Sequence, residues 1–333
     1  MTVTWSRRHV LETDDWAREE IEQVLDTANA MAEVLSRPIR RAPPLRGRTV
    51  ILFFAEASTR TRVSFELAAK ALSADVVNIA ASGSSVEKGE SLLDTVRTLE
   101  ALGGDVLVMR HSSSGAPYFV AQRIDAAVIN AGDGWHAHPT QGLLDAFTLR
   151  GTLGDLAGKR VVIVGDVLHS RVARSDVHAL VPLGARVTLS GPPTLLPAAW
   201  RCGDLPAGVE YEPDLDLALD GADGAIALRL QLERQQAGLL PSLREYARVW
   251  GLTEARVATM RPGAPVMHPG PMNEGVEIDA AVAHGARSLI EKQVANGVAI
   301  RMALLYLLLV GAEPAPILVG AEPPTPPLLE GSA

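Results

Sequence analysis

The stretch Val50-Ile51-Leu52-Phe53-Phe54-Ala55-Glu56-Ala57-Ser58-Thr59-Arg60-Thr61-Arg62 decides the fold and places its chemistry. The apolar run Val50 to Phe54 predicts a strand, and Val63, Leu67, Ala68, Ala71 and Leu72 follow with helical spacing. A strand that passes through a polar turn into a helix makes an anion site. The first backbone N–H groups of the helix have no internal partner, and its dipole favours negative charge there. Ser58, Thr59 and Thr61 add hydroxyl donors, and Arg60 adds a charge-assisted fork suited to phosphate. The rival reading makes Ser58 a plain helix N-cap and leaves Arg60 and Arg62 in solvent.

Outward from this stretch, strand-like and helical runs alternate. Trp16 to Arg37 has helical spacing and ends at Pro38. Strands are expected at Thr49–Phe54, Asp75–Ala80, Asp105–Arg110 and Ala126–Ala131, with helices at Thr61–Leu72, Ser91–Leu102 and Pro117–Arg123 between them. Pro139 to Leu149 reads as a helix leaving this unit, and the rhythm then restarts. Strands are expected at Arg160–Gly165, Arg186–Leu189, Gly224–Leu228 and Pro265–Met267, and helices at Arg171–Leu183, Thr194–Trp200 and Ser242–Trp250. Such alternation implies parallel sheets covered on both faces. The expected fold class is α/β with two domains, each a mainly parallel sheet flanked by helices, joined by interdomain helices. Residues 1–142 form the first, completed by a C-terminal helix at about 286–311, and 143–285 form the second. Residues 312–333, with Pro-Pro-Thr-Pro-Pro, read as an extended or disordered tail.

Bulk properties narrow the function. At 333 residues two domains of ordinary size are expected, and 47% hydrophobic with 21% charged residues is a globular composition. A net charge of −8 lacks the broad basic field of a nucleic-acid surface, so an anionic ligand must be caught by local arginine clusters. Cys202 is the only cysteine, which excludes an intramolecular disulfide or cysteine metal cluster and fits a reducing cytoplasm. Met1 to Asp15 has no apolar signal core. The greasy run Ala303 to Val310 is too short to span a bilayer and reads as part of a buried helix, so no membrane partner is expected.

Ligands of open parallel sheets bind beyond the carboxyl ends of the strands, and polar clusters fall there after nearly every strand. Arg110-His111 ends the third. Gly132-Asp133-Gly134-Trp135-His136-Ala137-His138-Pro139-Thr140-Gln141 follows the fourth. Pro139 suits the first position of a helix, so His138 and Gln141 share one ligand-facing side, the first a donor for a carbonyl oxygen and the second a partner for an NH2 group. Asp133, His136 and His138 match no zinc-site motif, and no metal is expected. Val161 to Arg171 runs from strand through loop to helix without the glycine fingerprint of nicotinamide enzymes; Arg171 there suits a carboxylate, while Arg174 reads as a structural or surface cation. Alternation puts Arg229 and Gln231 on one face, suited to a second carboxylate. His268-Pro269-Gly270-Pro271-Met272-Asn273 is a stiff turn whose prolines leave bare carbonyl acceptors. The polar loop Ser82 to Glu90 is of a kind that moves, and Lys88 is placed to cover a site on its own or a neighbouring subunit.

Assembled in this order, the chain resembles the aspartate and ornithine carbamoyltransferase family over roughly residues 5 to 311. The resemblance rests on Ser58-Thr59-Arg60-Thr61-Arg62, His138-Pro139-Thr140-Gln141 and His268-Pro269-Gly270-Pro271-Met272-Asn273. Lys88-Gly89-Glu90, Arg229-Leu230-Gln231 and the His-Pro-Gly-Pro turn point to the aspartate branch. The resemblance implies that Ser58, Thr59, Arg60 and Thr61 hold the phosphate of carbamoyl phosphate with Arg110. It implies that Thr61, Arg110 and His138 polarise the carbonyl, and that Gln141 and the carbonyls of Gly270 and Pro271 take the NH2. Arg171 would take the α-carboxylate of L-aspartate, and Arg229 with Gln231 the β-carboxylate. Ser84 and Lys88 would arrive from the adjacent subunit of a homotrimer.

The implied reaction is an early step of de novo pyrimidine biosynthesis that needs no cofactor. Two departures stand out: Ala57 replaces a proline, and Glu274 replaces an arginine beside the pocket, where it would weaken substrate binding or pair with a cation. Three other readings stay open: a carbamoyltransferase for another amino acid such as ornithine, a non-catalytic homologue in a pyrimidine-pathway assembly, and a generic nucleotide-binding α/β protein. Whether regulatory chains or a dihydroorotase bind is open on the sequence alone.

Overall fold

Two parallel sheets are built by the alternation described above. The computed structural model describes residues 5–80, 91–201, 203–231 and 238–311. Ser84, Lys88, Cys202 and the proline-rich tail lie outside them. In the first sheet β1 (Thr49–Phe54) and β3 (Val106–His111) are central, with β2 (Asp75–Ala80) and β4 (Ala127–Asp133) at the edges, in the order β2-β1-β3-β4. All three pairings are parallel. The second sheet has the order β7-β6-β5-β8-β9, again parallel, from β5 (Arg160–Val164), β6 (Arg186–Ser190), β7 (Val209–Tyr211), β8 (Gly224–Ala227) and β9 (Val266–Met267). β1 is buried from Val50 to Phe54, as a strand covered on both faces must be.

Helices α1 (Arg18–Ser36), α2 (Thr59–Ala71), α3 (Leu92–Ala101) and α4 (Ala116–Ala121) belong to the first half. α5 (Pro139–Leu153) leaves it and packs along α6 (Arg171–Leu180) of the second half. That crossing is close because Gly142 has no side chain: a Cβ there would strike the Ser175 carbonyl. The last helix, α12 (Ile290–Val310), returns against α1, α2 and α5. Its 21 residues are long and apolar enough to cross a membrane, yet much of the helix is buried inside the protein, including Gln293 and Arg301. A single apolar core runs from α1 through α12 and α5 into β5 and β6, and it holds the two sheets in one body.

Three expectations change. The helix expected at Thr194–Trp200 splits into a 3₁₀ turn at Pro193–Leu195 and a short α7 (Ala198–Arg201), because Pro197 has no N–H to continue a helix. The final helix starts at Ile290 rather than Ala286, because the preceding residues pair with the sheet edge: Val266 N–H donates to Arg287 O and Leu289 N–H donates to Val266 O, both at 2.9 Å. β7, α8 (Leu215–Leu219), α10 (Glu254–Thr259) and α11 (Ala280–Ala283) are too short to show periodicity in the sequence, unlike α9 (Leu243–Trp250).

Candidate active site

The carboxyl ends of the two sheets face a cleft of about 690 Å³. Its first wall is the start of α2. Ser58 occupies the N-cap with extended backbone, but its hydroxyl caps no backbone N–H and instead donates to Thr61 Oγ1 at 3.0 Å. Ser58 is thus the N-cap residue without a side-chain cap bond, and the first-turn N–H groups and three hydroxyls border the cleft together. Arg60 reaches across this wall toward the His268–Pro271 turn. Gly270 has φ +62°, and a Cβ on it would lie 3.0 Å from Arg60 Nη1. Partial burial and the Arg229 guanidinium lower the Arg60 pKa, which marks a cleft crowded with positive charge.

Arg110 sits where β3 shifts register against β4, between Met109 and His111. A bulge of this kind re-aims a side chain. Its Nη1 donates to Ala131 O at 3.2 Å and its Nη2 to Glu56 Oε1 at 2.6 Å. Arg171 opens α6 behind the Ser170 cap, whose hydroxyl accepts from Ala173 N–H. It also takes Glu56, with Nη2 to Oε1 at 2.6 Å and Nη1 to Oε2 at 3.2 Å, and donates to Gly134 O. Both guanidinium groups lie against Gly132, where a Cβ would come within about 3 Å of each; its φ of +113° also suits glycine alone. Glu56 thus ties an arginine of the first domain to an arginine of the second. No sequence signal singled it out, since its partners are 54 and 115 residues away.

His138, at the N-cap of α5, is 4% exposed. Burial first, then Arg110, Arg171 and Arg301, push its pKa well below the usual value, so it is a neutral imidazole at pH 7. Its backbone N–H donates to Ser175 Oγ at 2.9 Å, and that hydroxyl reaches Glu12. One turn along α5, Gln141 lines the cleft and donates its amide to Asp145. Arg301 comes in from α12 over the Phe65 ring, 5.1 Å from its centroid; burial lowers its pKa to about 10 against the opposing pull of Asp145.

On the other wall, burial alternates from Leu228 to Gln231, so that Arg229 and Gln231 share the face toward the cleft. The His268–Pro271 turn is pinned by Gly270 N–H donating to His268 Nδ1 at 2.8 Å and by Glu277, which sits 3.2 Å from His268 Nε2 and accepts from Asn273 N–H. Glu274 does not line the cleft; it pairs with His284 at 3.0 Å on the exposed side of that turn, which removes the expected conflict with anion binding. Asp133 and His136 form a loop anchor in which Asp133 accepts from Gly115 N–H, Asn130, Ala137 N–H and the His136 ring. Arg174 stacks 5.7 Å from the Trp200 ring and donates to Leu168 O, a structural cation as expected. Thus Ser58 to Thr61, Arg110, His138, Gln141, Arg171, Arg229, Gln231, Gly270 and Pro271 are brought to one cleft. Glu56, Asp145, Gln293 and Arg301 were missed.

Two parallel α/β domains thus border one cleft with the hydroxyl-rich start of α2, Arg110, Arg171 and Arg229, an arrangement suited to a transferase that brings two anionic substrates together. Residues 8–151 match the aspartate/ornithine carbamoyltransferase carbamoyl-P binding domain, and residues 157–308 match the Asp/Orn binding domain of the same proteins. The chain belongs to the aspartate/ornithine carbamoyltransferase family. It is 60% identical to the aspartate carbamoyltransferase catalytic subunit of Chloroflexus aggregans, over 91% of this chain and 99% of that one. It is 58% identical to that of Clavibacter sepedonicus, over 91% and 98%. Among solved structures, aspartate transcarbamoylase from Trypanosoma cruzi in complex with N-(phosphonacetyl)-L-aspartic acid superposes with TM-score 0.82 at 29% identity, covering 91% of this chain and 96% of that one. Ornithine carbamoyltransferase from Pyrococcus furiosus gives 0.82 at 26%, covering 92% and 99%.

Proposed function

We propose that the chain transfers the carbamoyl group of carbamoyl phosphate to the amino group of L-aspartate, giving N-carbamoyl-L-aspartate and phosphate. The observation that carries this reading is the placement of Arg171, Arg229 and Gln231 opposite the Ser58–Thr61 cradle across one cleft. Two cationic positions match a dicarboxylate acceptor. Ornithine, with one carboxylate and a distal ammonium, would leave Arg229 facing like charge.

The neutral amine of aspartate attacks the carbamoyl carbon and forms a C–N bond, and the carbonyl becomes a tetrahedral oxyanion. Thr61, Arg110 and the neutral His138 donate to that oxygen without rearranging. The C–O bond to phosphate then breaks, and the departing phosphate takes the amine proton. Ser58, Thr59, Arg60 and the first-turn N–H groups of α2 receive it. Much of the acceleration comes from holding two mutually repelling anions in contact among Arg60, Arg110, Arg171, Arg229 and Arg301. Arg171 reaches the substrate carboxylate by sharing or giving up Glu56. The finer reading includes a cytoplasmic homotrimer that serves pyrimidine biosynthesis, with Ser84 and Lys88 supplied by a neighbouring subunit; it rests on the family resemblance. Product assays test the reaction: carbamoyl-aspartate should form and carbamoyl-ornithine should not, and the reverse result overturns it. A solution mass other than three chains or a multiple of three overturns the trimer.

A further inference from the structure

Asp145 lies one turn beyond Gln141 on α5, with 0% exposure. It accepts from Gln141 Nε2 at 3.1 and 3.2 Å, and from Gln293 Nε2 of α12 at 2.7 Å. Gln293 in turn accepts the His268 backbone N–H at 2.9 Å. One buried carboxylate therefore joins the His138–Gln141 segment to the His268–Pro271 turn, the two segments that offer acceptors to the carbamoyl NH2. Asp176 of α6, also 0% exposed, faces Asp145 and has no other hydrogen-bond partner among the described residues. α5 and α6 can come this close because Gly142 carries no side chain.

An ionised carboxylate only accepts, so it dictates the orientation of every amide that touches it. Gln141 must turn its nitrogen inward, and its remaining group, the Oε1 acceptor, is what it can offer the cleft. Two adjacent buried carboxyls hold one proton between them. Burial and the Asp145 charge raise Asp176 well above the carboxylate range, while the two glutamine amides and Arg301 offset part of the burial of Asp145. Asp145 already accepts from two glutamine amides and Asp176 from neither, so the shared proton sits on Asp176 and Asp145 remains the acceptor.

We propose that Asp145 is a positioning residue for donor specificity: it locks the Gln141 amide with its oxygen toward the cleft and thereby selects a phosphorylated group bearing NH2. This rests on the carbamoyl-transfer reading above. A carboxylate that merely clamped α5 to α12 would affect all ligands alike, so the test compares two that differ at one group. Acetyl phosphate carries a methyl where carbamoyl phosphate carries NH2. In Asp145→Asn the residue presents an NH2 to one of its neighbours, and the half-buried Gln141 is the one free to turn over. Its Nε2 then meets the substrate NH2, donor against donor. The preference for carbamoyl over acetyl phosphate, read as the ratio of dissociation constants, should fall about 10-fold or more, with acetyl phosphate binding within about 2-fold of wild type.

Gln141→Ala should lose the same preference, and combining it with Asp145→Asn should lose little more. Asp176→Asn, which keeps a donor against Asp145, should leave the preference within about 2-fold. Asp145→Ser, whose hydroxyl and a water can each donate or accept, no longer fixes the Gln141 amide and should show a smaller fall of the same sign, which tests the inference where the Asn variant does not fold. An Asp145→Asn enzyme as selective as wild type, or one that weakens both ligands equally, overturns this inference alone. A wild-type protein that prefers neither ligand overturns the carbamoyl-transfer reading beneath it.

Discussion

Replacing Glu56 by Gln keeps the shape of the side chain and removes the charge that holds Arg110 and Arg171 together. Both ion pairs measure 2.6 Å, and the side chains are 21% (Glu56), 11% (Arg110) and 5% (Arg171) exposed. At an effective dielectric constant of about 20, each pair contributes roughly 6 kcal/mol of gross attraction. Most of that is offset by desolvation. Removing one partner of a buried pair nonetheless costs about 3–5 kcal/mol, because the remaining charges stay buried without compensation. The partial exposure of Glu56 puts the expectation at the low end, about 3 kcal/mol, which at about 2.1 cal/mol/K of unfolding entropy per residue lowers Tm by roughly 4 °C for a chain of 333 residues.

The site itself supplies a sharper readout. In the proposed site phosphate and carbamoyl phosphate approach Arg110 and the aspartate carboxylate approaches Arg171, the two partners of Glu56, so these anions should stabilise Glu56→Gln more than wild type. Thermal shift at matched ligand concentrations, with and without phosphate, measures this. A variant whose Tm lies within about 1 °C of wild type, and whose gain from phosphate is no larger, would refute the claim that Glu56 neutralises the two arginines across the domain boundary.

Three further outcomes follow from the same geometry. His138→Ala should lower kcat about 10²–10³-fold through loss of one oxyanion donor; in wild type the kcat profile should show no inflection from His138 between pH 6 and 8, since the ring is already neutral there. Glu12, with 5% exposure, is raised by burial to about 7, so the stability it contributes is full below its unfolded value near 4.5 and is lost as pH rises through 7. Denaturant titrations should show Glu12→Gln gaining on wild type by about 3 kcal/mol between pH 4.5 and 8; a constant difference would contradict it. Gly270→Ala, which puts a methyl about 3 Å from the Arg60 guanidinium at a positive φ, should raise the KM for carbamoyl phosphate while moving Tm by only a few degrees, as steady-state kinetics and calorimetry would show.

Much of the site was legible because its chemistry is local. Ser58 to Thr61 read as an anion cradle because a strand, a polar turn and a helix start are contiguous, and in the structure all four residues line the cleft. Arg229 and Gln231 were paired by simple alternation, which the burial pattern reproduces. For Glu274 the sequence leaves two outcomes, weaker binding or a paired partner, because its position beside the His268–Pro271 turn does not reveal which side it takes; the fold turns it to His284. Asp145, Gln293 and Arg301 escaped notice for another reason: on apolar helices, single polar residues carry no periodic signal, and only packing shows that they face one another.

By itself the sequence determined the two-domain α/β alternation and the polar groups at the strand ends. Hydrophobic period and turn chemistry act over a few residues, and parallel sheets display their strand ends together. The tertiary structure alone decided how those charges are balanced. Glu56 meets Arg171 across 115 residues and Gln293 meets Asp145 across 148. Those meetings exist because α5, α6 and α12 pack closely enough to exclude water. Exclusion of water makes an unpaired charge costly, so the fold selects which carboxylate faces which arginine and which way a glutamine amide points.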